Sequence, residues 1–483
     1  MTKTITIPHV TRIEGHAKIS IYLDEHGRVD RTHLHVTQVR GFEKFVEGRP
    51  YYEMPGITAR ICGICPVSHA LASAKACEGI MAIRIPKPAR MLREVLHLSQ
   101  FVQSHALSYF YLSAPDLLLG MDEPVASRNI VGLLAKYPDR ARDGIELRKF
   151  GQQAIAALAG ERIHASWVVP GGVNQPLTLE ARDSILRGVP AAREILRRAI
   201  AGHKASLDRF AEEIANFGAT PDLYAGLVDE HGAPGLYDGR IRFVAGGPHV
   251  IATGLDPAAY EDFIAEAPQP GTYLKSPFYR PLGFPDGVYR VGPLARLNVI
   301  DQLPTEEAGE ELAAFRSLCG RMPSSGFHYH YARLIEALYA VERLEHLLTD
   351  PAILDRHVRA KAAVNELEAV GCIEAPRGIL IHHYKVDDKG AIKWANLIVA
   401  TGHNSAAMDR AVESVSRRFI DGGNIQEGML NRVCAVVRAY DPCLSCSTHA
   451  LGIPDLVVEL IPPDKAATSA SSGTPPSPRR PSP

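Results

Sequence analysis

Four cysteines carry the clearest chemical signal in this sequence. Cys62 and Cys65 lie in Arg60-Ile61-Cys62-Gly63-Ile64-Cys65-Pro66-Val67-Ser68-His69, and Cys443 and Cys446 in Asp441-Pro442-Cys443-Leu444-Ser445-Cys446-Ser447-Thr448-His449. Two intervening residues let both sulfurs of a pair converge on one ion, and Gly63 permits a tight turn with close backbone approach. Four thiolates form a ligand set for a soft or borderline metal. One reading is a structural zinc site with four cysteine ligands. Structural zinc modules, however, are small and hold their pairs roughly 15–20 residues apart. Here most of the chain separates the pairs, so closing the site organises the whole fold. A histidine also follows each pair, His69 and His449, which a zinc ion held by four thiolates does not need. A thioredoxin-like redox site requires only one C-x-x-C. Cys77, Cys319, Cys372 and Cys434 match no ligand motif and are expected as buried free thiols.

The elements that must bring the pairs together are legible as periodicities. Thr4 to Ile7 and Ala17 to Leu23 alternate, a turn follows at Asp24-Glu25-His26-Gly27, and His33 to Val36 continues an antiparallel meander. Helical spacing then dominates, over 88–112, 179–217, 305–319 and 328–349. A second strand pair is expected over 379–400 around Asp387-Asp388-Lys389-Gly390, then a helix over 404–418 and one ending near Arg438. The prediction is an α+β fold, mainly helical, with a central helix bundle and small antiparallel sheets near the N-terminus and before the C-terminus. Residues 1–449 read as one catalytic domain because the two motifs must meet. Residues 464–483 are Ala, Ser, Thr, Pro and Arg with almost no large apolar groups, a composition expected to stay disordered.

Composition narrows the function classes. The chain has 483 residues, 46% hydrophobic and 22% charged, enough to build a large core. Lys+Arg and Asp+Glu nearly cancel at 53 against 54, which argues against a nucleic-acid or anionic-membrane binder. No apolar run reaches the roughly 18–20 residues that span a bilayer. Met1 to Thr11 lacks the apolar core of a secretory signal, so the chain is expected to be cytoplasmic unless exported on a partner's signal. A disulfide framework is not expected there. There is neither a G-x-G-x-x-G following a strand nor a P-loop, so no dinucleotide or nucleotide binding of those kinds is expected.

The two cysteine motifs together resemble those of the large subunit of nickel–iron hydrogenases. The likeness extends over residues 1 to about 460 and includes Thr11-Arg12-Ile13-Glu14-Gly15-His16, Arg40-Gly41-Phe42-Glu43, Pro170-Gly171-Gly172-Val173-Asn174 and Glu374-Ala375-Pro376-Arg377-Gly378. Within that family the chain is most similar to the soluble, NAD-linked bidirectional group, through Arg40 to Phe45, Leu380 to Tyr384 and Cys446 to Gly452. It departs from the family at Ala400-Thr401-Gly402-His403-Asn404, where His403 replaces the tryptophan of membrane-bound members and Gly402-His403 differs from the NAD-linked pattern as well.

The resemblance implies reversible heterolytic cleavage of H2 at a nickel–iron centre whose iron carries CO and two cyanides. It implies that Cys62 and Cys443 are terminal nickel ligands and that Cys65 and Cys446 bridge nickel to iron. A terminal thiolate, Cys443, takes the first proton and Glu14 relays it; a carboxyl in a largely apolar setting has a raised pKa suited to that task. The plain alternative for Glu14 is pairing with Arg12 or capping. Arg377, beside Pro376, is expected above the iron, its permanent charge suiting an anionic diatomic ligand, with Asp116 and Asp441 neutralising and orienting it. A surface salt bridge for Arg377 and an N-cap for Asp116 are the plain alternatives. Thr401 is expected to donate to the second cyanide and His69 to support the site by hydrogen bonding. Glu43, His449 and a backbone carbonyl near Leu397 are expected to bind magnesium or a similar ion, an unusual use of histidine.

Electrons need a route out that this chain does not supply. The resemblance therefore implies a small subunit carrying Fe–S clusters and diaphorase subunits carrying FMN and NAD(P). It also implies nickel-insertion chaperones and an endopeptidase that removes residues 450–483 after His449 or Ala450, a tail that keeps the last cysteine pair from closing before metal loads. An H2-sensing relative, or a non-catalytic subunit stapled by zinc or like the quinone-site subunit of respiratory complex I, are the other readings. The tail argues against the first, and the presence of all four cysteines against the second.

Overall fold

Alternation at the N-terminus builds a three-stranded antiparallel sheet from β1 (Thr4–Ile7), β2 (Ala17–Leu23) and β3 (Val29–Val36). Its register pairs Ile19 with Leu34 and turns both toward the core. The computed structural model describes residues 4–220, 222–246 and 249–449; the expectations for the tail from 450 onward lie outside them.

The first cysteine pair leads directly into α1 (Pro66–Met81). Pro66 opens the helix, where its missing N–H costs nothing. The N–H groups of Val67 and Ser68 are capped by Oε1 of Gln100 at 2.8 and 3.3 Å. Gln100 sits on α2 (Lys87–Ala106), which expectation ran to 112. The chain stays helical there but widens to π-type turns over Leu107–Ser113 and Pro115–Leu119, since Pro115 has no N–H for the α ladder. α2 packs on α3 (Pro138–Ala159) and, later in the chain, on α6, and both of these also carry α4 (Leu179–Lys204), as the central bundle. α4 stops at Lys204, short of the expected 217, and a separate short helix, Ala211–Asn216, follows.

A mid-chain sheet was not expected. β4 (Leu223–Val228), β5 (Arg240–Val244), β6 (Val250–Leu255) and β7 (Tyr289–Arg290) assemble in the order β7-β4-β5-β6. Every residue of β4 is buried, so it shows no alternation to read. α5 (Glu306–Cys319) and α6 (Tyr329–Thr349) return the chain to the bundle, with α6 buried along most of its length. The sheet near the C-terminus has three strands, not two: β8 (Glu368–Ala375), β9 (Gly378–Val386) and β10 (Ile392–Ile398), all antiparallel. α7 (Ser405–Phe419), α8 (Glu427–Tyr440) and the single turn α9 (Leu444–Ser447) complete the order. One core joins the N-terminal sheet, the bundle and both cysteine pairs; a second lies between the mid-chain sheet and β8–β10. Cys77, Cys372 and Cys434 are buried free thiols as expected, and Cys319 is half-buried.

α1 reaches the site because β8 lies almost against its backbone. A Cβ on Gly371 would stand 2.0 Å from the carbonyl oxygen of Ala72 and 2.5 Å from the nitrogen of Ala76. Gly371→Ala should therefore force the sheet off the helix and cost about 3 kcal/mol, the scale of overpacking a core. Unfolding midpoints of the two purified proteins test this; equal midpoints would refute the close-approach argument.

Candidate metal centre

Helix ends deliver both cysteine pairs. α8 terminates at Asp441, which adopts a left-handed conformation with φ of 54° that aspartate tolerates, and Pro442 bars further helix. Cys443 follows, and Cys446 sits on the single turn α9. On the other side, the N–H groups of Ile64 and Cys65 point at Sγ of Cys62, at 3.2 and 3.1 Å. Gly63 is not what permits this turn; it keeps an ordinary φ and a Cβ there meets nothing within 4 Å.

The four sulfurs come together. Each lies within 4.8 Å of the others and all four residues are buried. Cys62 and Cys443 approach to 3.4 Å, and Cys443 and Cys446 to 2.7 Å. Sulfurs each about 2.3 Å from a common tetrahedral ion stand about 3.8 Å apart, so the Cys62–Cys443 spacing is near that value and the Cys443–Cys446 spacing is tighter. Hydrogen bonds from Cys443, Cys446 and Cys62 drive the Cys65 thiol well below its ordinary range, with His69 contributing. Cys446, Cys62 and Cys65 push Cys443 up, and burial pushes Cys446 up. Crowded sulfurs cannot all ionise in a dry interior without a cation, so the donor set fits a metal centre.

Arg377 lies beside the cluster, 3% exposed. Burial opposes its charge, but Asp441, Cys443, Cys65 and Cys62 hold it firmly protonated. Its Nε donates to the Asp441 carbonyl at 2.6 Å, Nη2 to the Asp441 carboxylate at 3.0 Å and Nη1 to Ser104 Oγ at 3.3 Å. Pro376 is fixed through its carbonyl, which accepts from Arg296 Nη2 at 2.8 Å. Arg296 is in turn buried between Glu336 and Glu374. Sequence reading missed Arg296 and Glu336, whose neighbours carry no motif. Oγ1 of Thr401 accepts from the N–H of Cys443 at 2.9 Å, which leaves its own hydroxyl proton free to donate.

Asp116 is a correction. It was expected beside Arg377 or as a helix cap, but its carboxylate accepts from Arg12 Nη2 at 2.5 Å, Arg438 Nη1 at 2.9 Å and Asn431 at 3.1 Å. No ion pair joins it to Arg377 among the described residues. The π-type turns aim it toward the N-terminal loop instead. Arg12 (φ 61°) also donates to the Leu112 carbonyl at 2.6 Å, and Arg438 to the Thr11 carbonyl at 2.8 Å. This clamp holds the loop that carries Glu14.

Glu14 is corrected in its surroundings. It is half-buried and its carboxylate accepts from both the N–H and the hydroxyl of Ser445, so its setting is polar where an apolar one was expected. Its backbone carbonyl accepts from Leu444 N at 3.1 Å, forming a bridge beside Cys443. The next residue must be glycine: a Cβ on Gly15, at φ 89°, would meet Gln38 Oε1 and Leu444 Cβ at 2.8 Å. Arg12 pairs with Asp116 and not with Glu14, which removes the pairing alternative; the capping alternative stands, since Glu14 accepts from the Ser445 N–H in the first turn of α9.

Glu43 and His449 meet directly, Oε1 to Nδ1 at 2.6 Å, and both are buried. Leu397 is on β10, which packs against the short helix Phe42–Phe45 that carries Glu43. His69 bonds through Nδ1 to His382 Nε2 at 3.1 Å. His382 and Tyr384, in the stretch Leu380 to Tyr384 used only for family likeness, thus join the site's surroundings. His403 is buried, its Nδ1 2.6 Å from the Tyr289 hydroxyl.

The same chain matches known proteins along nearly all its length. The family profile described as "Nickel-dependent hydrogenase" matches residues 40–122 and 249–449, and one described as "HoxL-like" matches residues 4–39. The chain is 40% identical to the NAD-reducing hydrogenase HoxS subunit beta of Cupriavidus necator, over 95% of this chain and 97% of that one. It is 30% identical to the sulfhydrogenase 2 subunit alpha of Pyrococcus furiosus, over 92% and 98%. The crystal structure of an NAD+-reducing nickel–iron hydrogenase in the H2-reduced state superposes with a TM-score of 0.90 at 42% identity, covering 93% of this chain and 100% of that one.

The Asp116 clamp has a pH signature. Burial alone would raise the Asp116 pKa, but Arg438 and Arg12 bring it below the ordinary aspartate value. A depressed folded pKa stabilises at all pH above the unfolded value and is lost as pH falls through the folded one. Asp116→Asn should cost about 3–5 kcal/mol at neutral pH, because two buried guanidinium groups lose their counter-charge. The gap from wild type should narrow below about pH 4. Unfolding midpoints measured down a pH series check both; a gap that widens in acid would reject the clamp.

Proposed function

The chain belongs to the nickel-dependent hydrogenases as a large subunit, an oxidoreductase acting on H2, and from that premise we propose which residues perform the chemistry. The observation that carries the proposal is the convergence of four buried thiols, within 4.8 Å of one another, between Arg377 and Glu14. Cys62, Cys65, Cys443 and Cys446 would hold the nickel, and Cys65 and Cys446 would also hold the iron. When bound, this pair supplies an open coordination position at which H2 is polarised and split heterolytically. The protein's own share is to hold anionic ligands and to move protons.

Arg377 has uncommitted N–H groups beside its bonds to Asp441 and Ser104, and its charge cannot be lost. It suits a cyanide on iron, and the free Thr401 hydroxyl suits a second; CO completes the iron's set. Asp441 keeps the guanidinium oriented. Proton movement begins at the Cys443 sulfur. Glu14 is the acceptor because its backbone is tied next to Cys443 and its carboxylate is held by Ser445. The Asp116 clamp supports that position from behind. Glu43 and His449, with the Leu397 carbonyl, form the place for a magnesium or similar ion.

No helix among the described residues is long and apolar enough to cross a membrane. Electrons are passed to an Fe–S small subunit and on to diaphorase subunits bearing FMN and NAD(P). Support for the nicotinamide acceptor is the likeness to NAD-reducing relatives.

The complex purified anaerobically with its partners should contain nickel and iron in stoichiometric amount and show CO and CN stretching bands in the infrared. Zinc alone, or processed protein without such bands, would overturn the assignment. Glu14→Gln should keep metals and bands while H2/D+ exchange falls by about 10²–10⁴-fold, the usual weight of one proton-transfer group. Undiminished exchange would remove Glu14 from the path.

A further inference from the structure

Among the described residues, one buried arginine lacks the carboxylate that every other buried arginine has. Arg377 pairs with Asp441 and Arg290 with Asp222, and the rest are matched in the same way. Arg333, on α6, is 1% exposed, and no carboxylate of the described residues stands within ion-pair distance of it. Its Nη1 donates to the Tyr329 carbonyl of its own helix at 3.3 Å and its Nη2 to the Ala439 carbonyl at 3.0 Å. Nε is buried with no partner among the described residues. A guanidinium does not give up its charge inside a protein. A buried cation without an anion is costly, and packing does not account for it.

Its position gives a reason. Ala439 lies in the last turn of α8, where the final carbonyls have no N–H of the helix to take. A continuing helix would offer the Ala439 carbonyl the N–H of Cys443, four residues on. That N–H goes instead to Thr401 Oγ1 at 2.9 Å, and Arg333 takes its place. Two residues further, the Asp441 carbonyl accepts from Arg377 Nε at 2.6 Å. Two buried guanidinium groups thus grip one turn, the turn that presents Cys443. Asp441 is bound to Arg377, so one carboxylate serves two cations. Burial works against the Arg333 charge; Asp441 offsets this most, and Arg377 opposes it. We propose that the Arg333 guanidinium is a counter-charge reserved for the loaded metal centre, held at the end of α8 where Cys443 departs.

The charges of the assigned centre call for such a group. Four thiolates and two cyanides exceed nickel and iron, each taken as a dication, by two negative charges. The Arg377–Asp441 pair is neutral as a unit and leaves that excess standing. Arg333 is the other cation on the same turn. A charge acts over several ångströms in a low-dielectric interior, so contact with the metals is not required. Without metal the crowded thiols cannot all ionise, and the Arg333 charge is an uncompensated cost. With metal it draws electron density from the iron and stabilises each electron added to the centre. A helix cap needs a donor but no permanent charge, so capping alone does not explain a buried guanidinium here.

The inference rests on the nickel–iron assignment above and is tested separately from it. An infrared-monitored redox titration of the anaerobically purified complex compares wild type with three variants. Arg333→Met removes the charge at similar length, Arg333→Lys keeps it without the planar fork, and Ile335→Val is a buried packing control on the same helix. Arg333→Met should move the CO band to lower wavenumber and the metal-centred couple to lower potential. Arg333→Lys should shift each by less than half as much, with Ile335→Val at the wild-type position. An unmoved band or couple in loaded Arg333→Met overturns the proposal. So does a shift of half or more in Arg333→Lys, which marks a cap only, or an equal shift in Ile335→Val. Should Arg333→Met fail to load metal, unfolding midpoints of the metal-free full-length chains decide. A midpoint equal to or above wild type supports a charge held in reserve, and a lower one overturns it. Absence of bands in wild type, by contrast, overturns the nickel–iron assignment itself.

Discussion

Four sulfurs from the two ends of the chain must share one dry space, and the rest of the molecule answers that constraint. Cys62 and Cys443 touch across 381 residues of sequence. Closing a loop of that length costs roughly 3 kcal/mol more than closing a ten-residue one, because the entropy grows only with the logarithm of length. Core burial is far larger on any accounting. The fold brings the pairs together through packing of α1 on β8 and β9 and of α8 on the bundle. What packing alone cannot supply is charge balance among crowded thiols.

That balance explains why so many ion pairs are buried near the centre. Arg377 with Asp441, Arg296 between Glu336 and Glu374, and Asp116 with Arg438 are all nearly inaccessible, and Arg12, the second partner of Asp116, is half-buried. Such pairs add little net stability, since desolvation consumes most of the attraction. Their contribution is positional. Each arginine also binds backbone carbonyls: Asp441 for Arg377, Ala375 and Pro376 for Arg296, Leu112 for Arg12, Thr11 for Arg438. The loops on which Pro376, Glu14 and Cys443 depend are thereby held at points where no regular ladder reaches them.

The same reasoning accounts for the uneven legibility of the site. The cysteines were readable because short spacing and paired motifs constrain local geometry, whereas Glu43 and His449 were named only through the family resemblance; the four sulfurs converge and Glu43 meets His449. Asp116 was misread. Its identity announces a buried counter-ion, but which arginine it serves depends on the π-type turns after Leu107, and nothing local separates Arg12 from Arg377. Glu14 was recognised, yet its polar surroundings come from Ser445, more than four hundred residues away. His382 and Tyr384 looked like ordinary alternating strand residues until α1 was laid across them. The mid-chain sheet escaped because β4 is buried on both faces and lost the period-two signal.

Residue types, short spacings and periodicities by themselves determined the donor set, the mainly helical α+β architecture, the N-terminal meander and the principal long helices, because those properties are written within a few turns of chain. Tertiary structure alone decided which buried charge faces which, how the Glu14 loop is clamped, and that a helix step and a strand step would join His69, His382, Tyr384 and Ser73 in one buried polar chain. Those outcomes depend on ångström-scale juxtaposition of segments remote in sequence. In a low-dielectric interior, such juxtaposition sets whether a polar group is satisfied or costly.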